Sequence, residues 1–190
     1  MCSSAAGAGA STRVSSGVGQ LARVGKIWKA PAQNLYKVNC DAALDLARCR
    51  VGCGVVIRNA EGLVMAASSQ RLVASFPPHI AEASAIRVGI QLAIDTGLNP
   101  ITVESDAAVV VNWINGELDL LSEVGTIITD IKYLLHQIQC VAVTFVPRLA
   151  NMVAHCLAKF ALSCDEDRFW LEDDPPCVSH IVLADARLCV

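Results

Sequence analysis

Three acidic residues stand at the ends of predicted secondary-structure elements, where their carboxylates could meet. Asp41 ends the polar side of a predicted first strand, and Asp106 ends a predicted fourth strand. Glu82 lies in the first turns of a predicted helix, beside the apolar stripe that would face the sheet. Carboxylates held within a few ångströms raise one another's pKa, and a divalent cation is the usual compensation. Because oxygen ligands favour Mg²⁺ or Mn²⁺ over zinc or copper, the three acids predict a magnesium or manganese site.

Each of these acids also has a structural explanation when it is taken singly. Asp41 could be a solvated strand end, Glu82 could stabilise the helix dipole, and Asp106 could cap the helix that follows it. On that hypothesis the protein is a small α/β protein whose acids have no catalytic role. The three acids in this order of elements are far more specific to a metal site than any one of them.

The elements that would position the acids follow from hydrophobic periodicity. Apolar and polar residues alternate in the predicted strands, and apolar residues recur at helical spacing between Pro78 and Gly97. Asn59 to Gly62 suits a hairpin turn. The predicted order is strands at 35–41, 51–58 and 63–73, a helix at about 78–96, a strand at 101–106, helical stretches at 109–116 and 122–139, a strand at 141–146, and a helix from about 150 to 161.

This order of elements predicts the fold class and the domains. Three antiparallel strands followed by alternating helices and strands imply an α/β protein with a mixed, five-stranded sheet and helices on its faces. We expect a flexible leader rich in Ser, Ala and Gly at 1–27, one domain at 28–163, and an acidic tail at 164–190. The leader is free of acidic residues, so an organellar transit peptide is the alternative to a plain disordered segment.

Composition excludes several classes of protein. With 190 residues, of which 54% are hydrophobic and 17% charged, the chain can bury one globular core and is not intrinsically disordered. The longest uncharged stretch, 133–147, is shorter than the roughly 18 to 20 residues that a membrane span needs, so we expect no membrane insertion. A pI near 5.8 counts against nucleic-acid binding, which usually requires a basic surface.

The cysteines predict reduced thiols in the interior of a cell. There are nine of them, an odd number, and none forms a C-x-x-C pair. Cys49 and Cys53 are the closest pair, but no second pair of ligands accompanies them, so packing of these thiols in a strand is favoured over a zinc site.

Several segments together resemble a known family. They are YKVNCDAAL, GCGVVIRNAEG, HIAEASAIRVGIQLAIDTG, ITVESDAAVVVNWING and VTFVPRLANMVAHCLAKFA. In this order they resemble the ribonuclease H-like domain, in the variety common in plant genomes and in non-LTR retrotransposons. The resemblance extends from about Trp28 to the end of the chain. It implies the ribonuclease H-like fold, with helices on both faces of the sheet.

The resemblance also implies an activity and its residues. Such a domain hydrolyses the RNA strand of RNA–DNA hybrids by a two-metal mechanism. Asp41, Glu82 and Asp106 match the first three metal-binding acids of the family, and the fourth acid aligns with His155. Histidine can ligate a metal but brings no negative charge and prefers softer ions than magnesium. Ala42 also stands where the family often has Gly.

These departures leave two hypotheses about activity. The first is an RNA–DNA hybrid endoribonuclease with Asp41, Glu82, Asp106 and His155 as catalytic residues, Mg²⁺ or Mn²⁺ as cofactor, and turnover slowed by His155. The alternative is a catalytically degenerate module that binds nucleic acid or protein without efficient cleavage. For His155 itself, the structural alternative is an exposed helix residue.

The expected partner is an RNA–DNA hybrid or another nucleic acid. The resemblance implies recognition through backbone shape and the 2′-hydroxyl, without base-sequence specificity. Because the basic residues are scattered, we expect modest affinity that falls with salt. We expect a monomer, located in the nucleus or the cytoplasm, with an organelle as the alternative.

Overall fold

The computed structural model of the chain describes residues 27–116 and 123–187. The predicted leader, apart from residue 27, lies outside the described residues. The elements are β1 (Tyr36–Asp45), β2 (Arg50–Arg58), β3 (Val64–Val73), α1 (Pro78–Thr96), β4 (Ile101–Ser105), α2 (Ala108–Asn115), α3 (Glu123–Gln137), β5 (Cys140–Phe145), a 3₁₀ turn (Arg148–Ala150), α4 (Met152–Ser163), β6 (Arg168–Leu171) and α5 (Ser179–Arg187).

The strands form one mixed sheet in the order β5-β4-β1-β2-β3-β6. β1, β2, β3 and β6 pair antiparallel in succession, whereas β4 runs parallel to both β1 and β5. The predicted mixed α/β sheet is therefore confirmed, but the described ranges already contribute six strands to it and the prediction of five was wrong. The additional strand, β6, lies in the segment predicted as an acidic tail, and backbone pairing of Arg168 to Leu171 with β3 holds it there. Acidic residues on both sides of this short strand hide it from an analysis of hydrophobic periodicity.

One face of the sheet carries α1 and α3. Ile86 and Ile90 of α1 are fully buried with Val38 of β1 and Val55 of β2 in the larger hydrophobic cluster. Gly89 permits the close approach, because a Cβ atom there would collide with the Sγ atom of Cys40. The tight packing of α1 against β1 fixes where the first turns of this helix lie relative to the middle of β1.

The opposite face carries α4 and α5. Gly54 of β2 lies directly beneath α4, and a Cβ atom there would overlap the backbone of Ala154 and Ala158. A second hydrophobic cluster closes around this helix and α5, including Leu157 and Val182. Helices therefore cover both faces of the sheet, as predicted. No helix within residues 27–116 or 123–187 has the length and apolar character to cross a membrane.

A buried polar network joins the start of the described chain to α5. The guanidinium of Arg58, 1% exposed, stacks 3.5 Å from the ring centre of Trp28 and forms a 2.8 Å ion pair with Asp185. The Trp28 indole donates a 2.9 Å hydrogen bond to Asn39, which in turn donates to Glu104 at 2.9 Å. This network fixes the ends of the domain to β1, β2 and β4.

Candidate active site

Asp41 is fully buried on β1, on the face that α4 covers. Its Oδ2 atom lies 2.7 Å from Nδ1 of His155, which α4 presents to the strand. Its Oδ1 atom has no hydrogen-bond partner among the residues that the structure describes. A buried carboxylate oxygen without a partner is energetically costly, so this atom indicates a place for a cation or a proton.

The other two acids come from α1 and from the residue that follows β4. Glu82 is held by a 3.2 Å hydrogen bond that the backbone N–H of Ala42 donates to its Oε2 atom. Asp106 directly follows Ser105, and Ser105 pairs in parallel register with Cys40, the residue before Asp41. Asp41 lies in the middle of β1, which continues to Asp45, so the expectation that the first strand ends at Asp41 was wrong. Parallel pairing of β1 with β4 nevertheless sets Asp41 beside Asp106, the residue that follows β4.

The three carboxylates form one cluster. Oxygen atoms of Asp41, Glu82 and Asp106 all lie within 4.8 Å of one another. The structure thus brings together the three acids that the sequence analysis selected, and their roles in metal binding and catalysis stay predictions. His155 contacts Asp41 at the side of the cluster and is not part of the three-acid group.

Burial and mutual repulsion change the pKa values of these acids. Burial, followed by the charges of Glu82 and Asp106, raises the pKa of Asp41 to about 9. Burial and the charge of Asp106 raise the pKa of Glu82 to about 7. Burial also acts to raise the pKa of Asp106, but hydrogen bonds from Asp41, Arg148 and Asn151 lower it overall. Without a cation, Asp41 therefore keeps a proton at neutral pH.

The contact between His155 and Asp41 is a hydrogen bond between neutral groups. Burial lowers the pKa of His155, and the positive charges of Arg148 and Lys159 lower it further. A neutral imidazole beside a protonated carboxyl gives no ion pair, although the 2.7 Å distance alone would allow one. His155 therefore orients Asp41 without neutralising it.

The cluster fits a hard divalent cation. It offers only carboxylate oxygens, which Mg²⁺ and Mn²⁺ prefer, and one of them is the unpartnered Oδ1 atom of Asp41. Bound metal would replace the proton that Asp41 holds and would relieve the repulsion among the three acids.

Sequence reasoning missed two residues that hold Asp106. Arg148 donates from Nε to Oδ2 of Asp106 at 2.9 Å, and Asn151 donates from Nδ2 to Oδ1 at 3.1 Å. The same Nδ2 atom donates to the carbonyl of Cys40 at 2.9 Å, so Asn151 joins the middle of β1 to the residue that follows β4. Asn151 stands at the N-cap of α4, but its side chain makes no capping bond. An asparagine before a helix predicts an N-cap, and the sequence gives no sign that its side chain instead binds Asp106 and Cys40.

Other candidates lie away from the cluster or have structural surroundings. Trp113, predicted to pack in the core or to stack on a nucleotide, packs against the larger hydrophobic cluster and meets the His79 ring edge-on at 5.7 Å. Cys53 is buried within β2 and Cys49 is exposed in the β1–β2 turn. Within the described ranges, the three acids form the one group of side chains suited to hold a metal.

Comparison with known proteins gives one family and one fold. The family model described as "Reverse transcriptase-like" matches residues 39–161, about two thirds of the chain. No curated protein matches the sequence significantly.

Solved structures share the fold at low sequence identity. The N-terminal ribonuclease H domain of a Mycobacterium tuberculosis protein is similar at 22% identity and a TM-score of 0.62, covering 68% of this chain and 94% of its own. Ribonuclease H1 of the halophilic archaeon Halobacterium salinarum is similar at 22% identity and a TM-score of 0.63, covering 68% and 98%. The compost-derived LC11 ribonuclease H1, solved in complex with an RNA/DNA hybrid, is similar at 18% identity and a TM-score of 0.59, covering 67% and 96%. With a family model that matches about two thirds of its length, and with a mixed sheet between two helical layers, the chain belongs to the reverse transcriptase-like family and has the ribonuclease H-like fold.

Proposed function

We propose that this protein hydrolyses the RNA strand of RNA–DNA hybrids with a divalent cation held by Asp41, Glu82 and Asp106. The observation that carries the proposal is the convergence of three carboxylates within 4.8 Å around an unpartnered oxygen of buried Asp41. When bound, such a cation activates water for attack on phosphorus and stabilises charge on the phosphate oxygens. Mg²⁺ is the cation that we propose, with Mn²⁺ as a substitute.

The residues of the chain supply fixed positions for the three acids. Asp41 is held by His155, Glu82 by the Ala42 N–H, and Asp106 by Arg148 and Asn151. These partners come from β1, α4 and the turn before α4, so packing on both faces of the sheet determines the geometry of the acids. No side chain of the cluster is a strong nucleophile, which agrees with attack by water.

The substrate class is inferred from the structural neighbours. LC11 ribonuclease H1 was solved in complex with an RNA/DNA hybrid, and so was a foamy viral protease-reverse transcriptase, which is similar at 15% identity and a TM-score of 0.54. We further propose that the chain is a monomer of retrotransposon origin, of the plant variety. The odd number of cysteines, together with the free thiols of the seven that lie in the described part of the chain, supports a location inside the cell, in the nucleus or the cytoplasm.

Cleavage of a hybrid with each strand separately labelled tests the proposal. We expect metal-dependent cutting of the RNA strand alone, in Mg²⁺ or Mn²⁺, and loss of cutting in Asp41→Asn. Asp95→Asn is the matched control, because this exposed acid near the end of α1 bonds only with Gln91 among the described contacts. Cutting by Asp41→Asn at the wild-type rate would contradict the proposal.

A specific observation favours a second candidate, the catalytically degenerate module. His155 stands where a fourth acid is expected from the family resemblance, and it occupies one oxygen of Asp41. This candidate predicts that folded protein binds the hybrid but cuts neither strand in either metal. Measuring binding and cleavage on the same preparation separates the two functions.

A further inference from the structure

The charges around the acid cluster include one cation that belongs to the protein. Arg148 donates from Nε to Oδ2 of Asp106 at 2.9 Å, and its positive charge also acts on Asp41 and Glu82. Three ionised carboxylates carry three negative charges. In the free chain, one divalent cation together with the guanidinium balances these charges, whereas two divalent cations together with the guanidinium exceed them by two positive charges.

Most oxygen atoms of the three carboxylates already contact protein groups. Asp41 Oδ2 contacts His155, both oxygens of Asp106 accept hydrogen bonds, and Oε2 of Glu82 accepts one from Ala42. Oδ1 of Asp41 has no partner in the described part of the chain. A first cation can therefore use this oxygen of Asp41 without displacing His155, and it takes the place of the proton that Asp41 donates to Asp106. A second cation would have to share oxygens with the first, or displace His155 from Asp41 or Arg148 from Asp106, and His155 offers it no negative charge.

The terminal NH₂ groups of Arg148 can still donate hydrogen bonds to a ligand. Only Nε is in a hydrogen bond with a described residue, and the side chain is 56% exposed. Its terminal NH₂ groups therefore stand beside the acids and in contact with solvent. A guanidinium binds a phosphate through two parallel hydrogen bonds, a geometry that the ammonium group of lysine does not reproduce.

We propose that this site takes one divalent cation, and that Arg148 supplies the positive charge of a second by binding a substrate phosphate through both terminal NH₂ groups. This inference rests on the proposed function for its substrate, and it departs from the two-metal expectation of the sequence analysis. Arg148 is then a substrate-binding residue, and His155 is a positioning residue that keeps the site to one cation.

The number of Mn²⁺ ions bound by the chain without substrate tests the proposal of a single cation. Titration with Mn²⁺, followed by calorimetry and by electron paramagnetic resonance of the unbound ion, is expected to give one ion per wild-type chain. The double variant Arg148→Met/His155→Asp is expected to bind two, because it frees oxygens of Asp41 and Asp106 and adds an acid. Zero or two ions on the wild type, or one on the double variant, would overturn this part.

Binding of the RNA–DNA hybrid without metal tests the proposed contact between Arg148 and a substrate phosphate. In EDTA, we expect Arg148→Met to raise the dissociation constant of the hybrid about ten-fold, since it removes a charge-assisted pair of hydrogen bonds. Arg148→Lys should restore only part of the affinity, because it keeps the charge and loses the two-point contact. Arg168→Met is the matched control, since Arg168 is exposed on β6 at the far edge of the sheet. Wild-type affinity in Arg148→Met, full affinity in Arg148→Lys, or an equal loss in Arg168→Met would overturn this part.

Neither measurement requires cleavage, so the two proposals can fail separately. A chain that binds one Mn²⁺ and binds the hybrid through Arg148, but cuts neither strand, contradicts the proposed function and supports this inference. A chain that cuts the RNA strand with two bound ions contradicts this inference alone.

Discussion

The carboxyl group of Asp41 combines complete burial with two acidic neighbours, and this combination has consequences at the scale of single residues. In the folded chain its pKa rises from 3.8 to about 9, so the folded state holds a proton that the unfolded state releases. The contribution of this group to stability is therefore greatest below pH 4 and declines as the pH rises towards 9. A bound divalent cation removes the cause of the decline, because it stabilises the ionised form.

We therefore expect metal-free protein to lose thermal stability between pH 5 and pH 9, and to lose less of it in Asp41→Asn, which cannot ionise. Mg²⁺ should raise the unfolding temperature of the wild type more at pH 8.5 than at pH 6. Differential scanning calorimetry in EDTA and in Mg²⁺ measures both effects. An equal response of the wild type and Asp41→Asn to pH would show that another group dominates.

His155 provides a second prediction at this scale. His155→Asp puts a fourth acid beside Asp41, where the imidazole Nδ1 atom now lies 2.7 Å from Oδ2. We expect cleavage in Mg²⁺ to increase about ten-fold, the scale on which partners of metal ligands act. Initial rates on a labelled hybrid measure the change. Lys159→Gln, an exposed position on the same helix, lowers the net charge equally and should leave the rate unchanged. A rate that falls in His155→Asp would argue that the imidazole itself supports the site.

At the scale of elements, the site depends on how closely two helices approach the sheet. Gly89 brings α1 against β1, and Gly54 brings β2 against α4. These contacts place Glu82 on one side and His155 on the other side of Asp41. The helices and strands were largely predictable from the sequence, because alternating or helically spaced apolar residues reflect burial on one face.

The close contacts at Gly89 and Gly54 were not predictable, because a glycine in the sequence does not show which atoms pack against it.

Gly54→Ala tests this packing. The new methyl group would overlap backbone atoms of Ala154 and Ala158, so β2 and α4 must separate, and we expect a loss of about 2 to 3 kcal/mol in the free energy of unfolding. Gly97→Ala is the comparison: its φ of 70° is unfavourable for alanine, but no atom lies within 4 Å of the new carbon. It should cost about 1 kcal/mol. Urea denaturation measures both, and equal losses would refute the packing explanation.

Main-chain pairing and side-chain contacts between distant residues could not be predicted from the sequence. β6 pairs with β3 through main-chain groups between acidic segments, so it leaves no apolar pattern. Arg148 and Asn151 act at the site through contacts with Asp106, which is 42 and 45 positions away in the sequence. Asp41, Glu82 and Asp106 do lie together, because the parallel pairing of β1 with β4 and the start of α1 bring them to one place, and their roles stay predictions.

At the scale of the whole molecule, α5 is part of the folded domain. Arg58 is almost fully buried between Trp28 and Asp185, and losing the 2.8 Å ion pair with Asp185 weakens the compensation of this buried charge. We expect Asp185→Asn to lower the free energy of unfolding by about 2 kcal/mol, as measured by urea denaturation. Asp173→Asn, an exposed acid in the segment before α5, is the matched control and should change stability little. Equal stability of the two variants would argue that the ion pair is dispensable.

The network around Arg58 also brings distant parts of the sequence side by side. Trp28 and Ala186 both lie within about 3.5 Å of the Cβ position built on Gly62, so residues near the two ends of the described chain are close in space. A circular permutant should therefore fold, with residue 187 joined by a short linker to residue 27 and new termini opened in the exposed β1–β2 turn at Ala47 and Arg48. Circular dichroism and urea denaturation of the permutant would check this expectation.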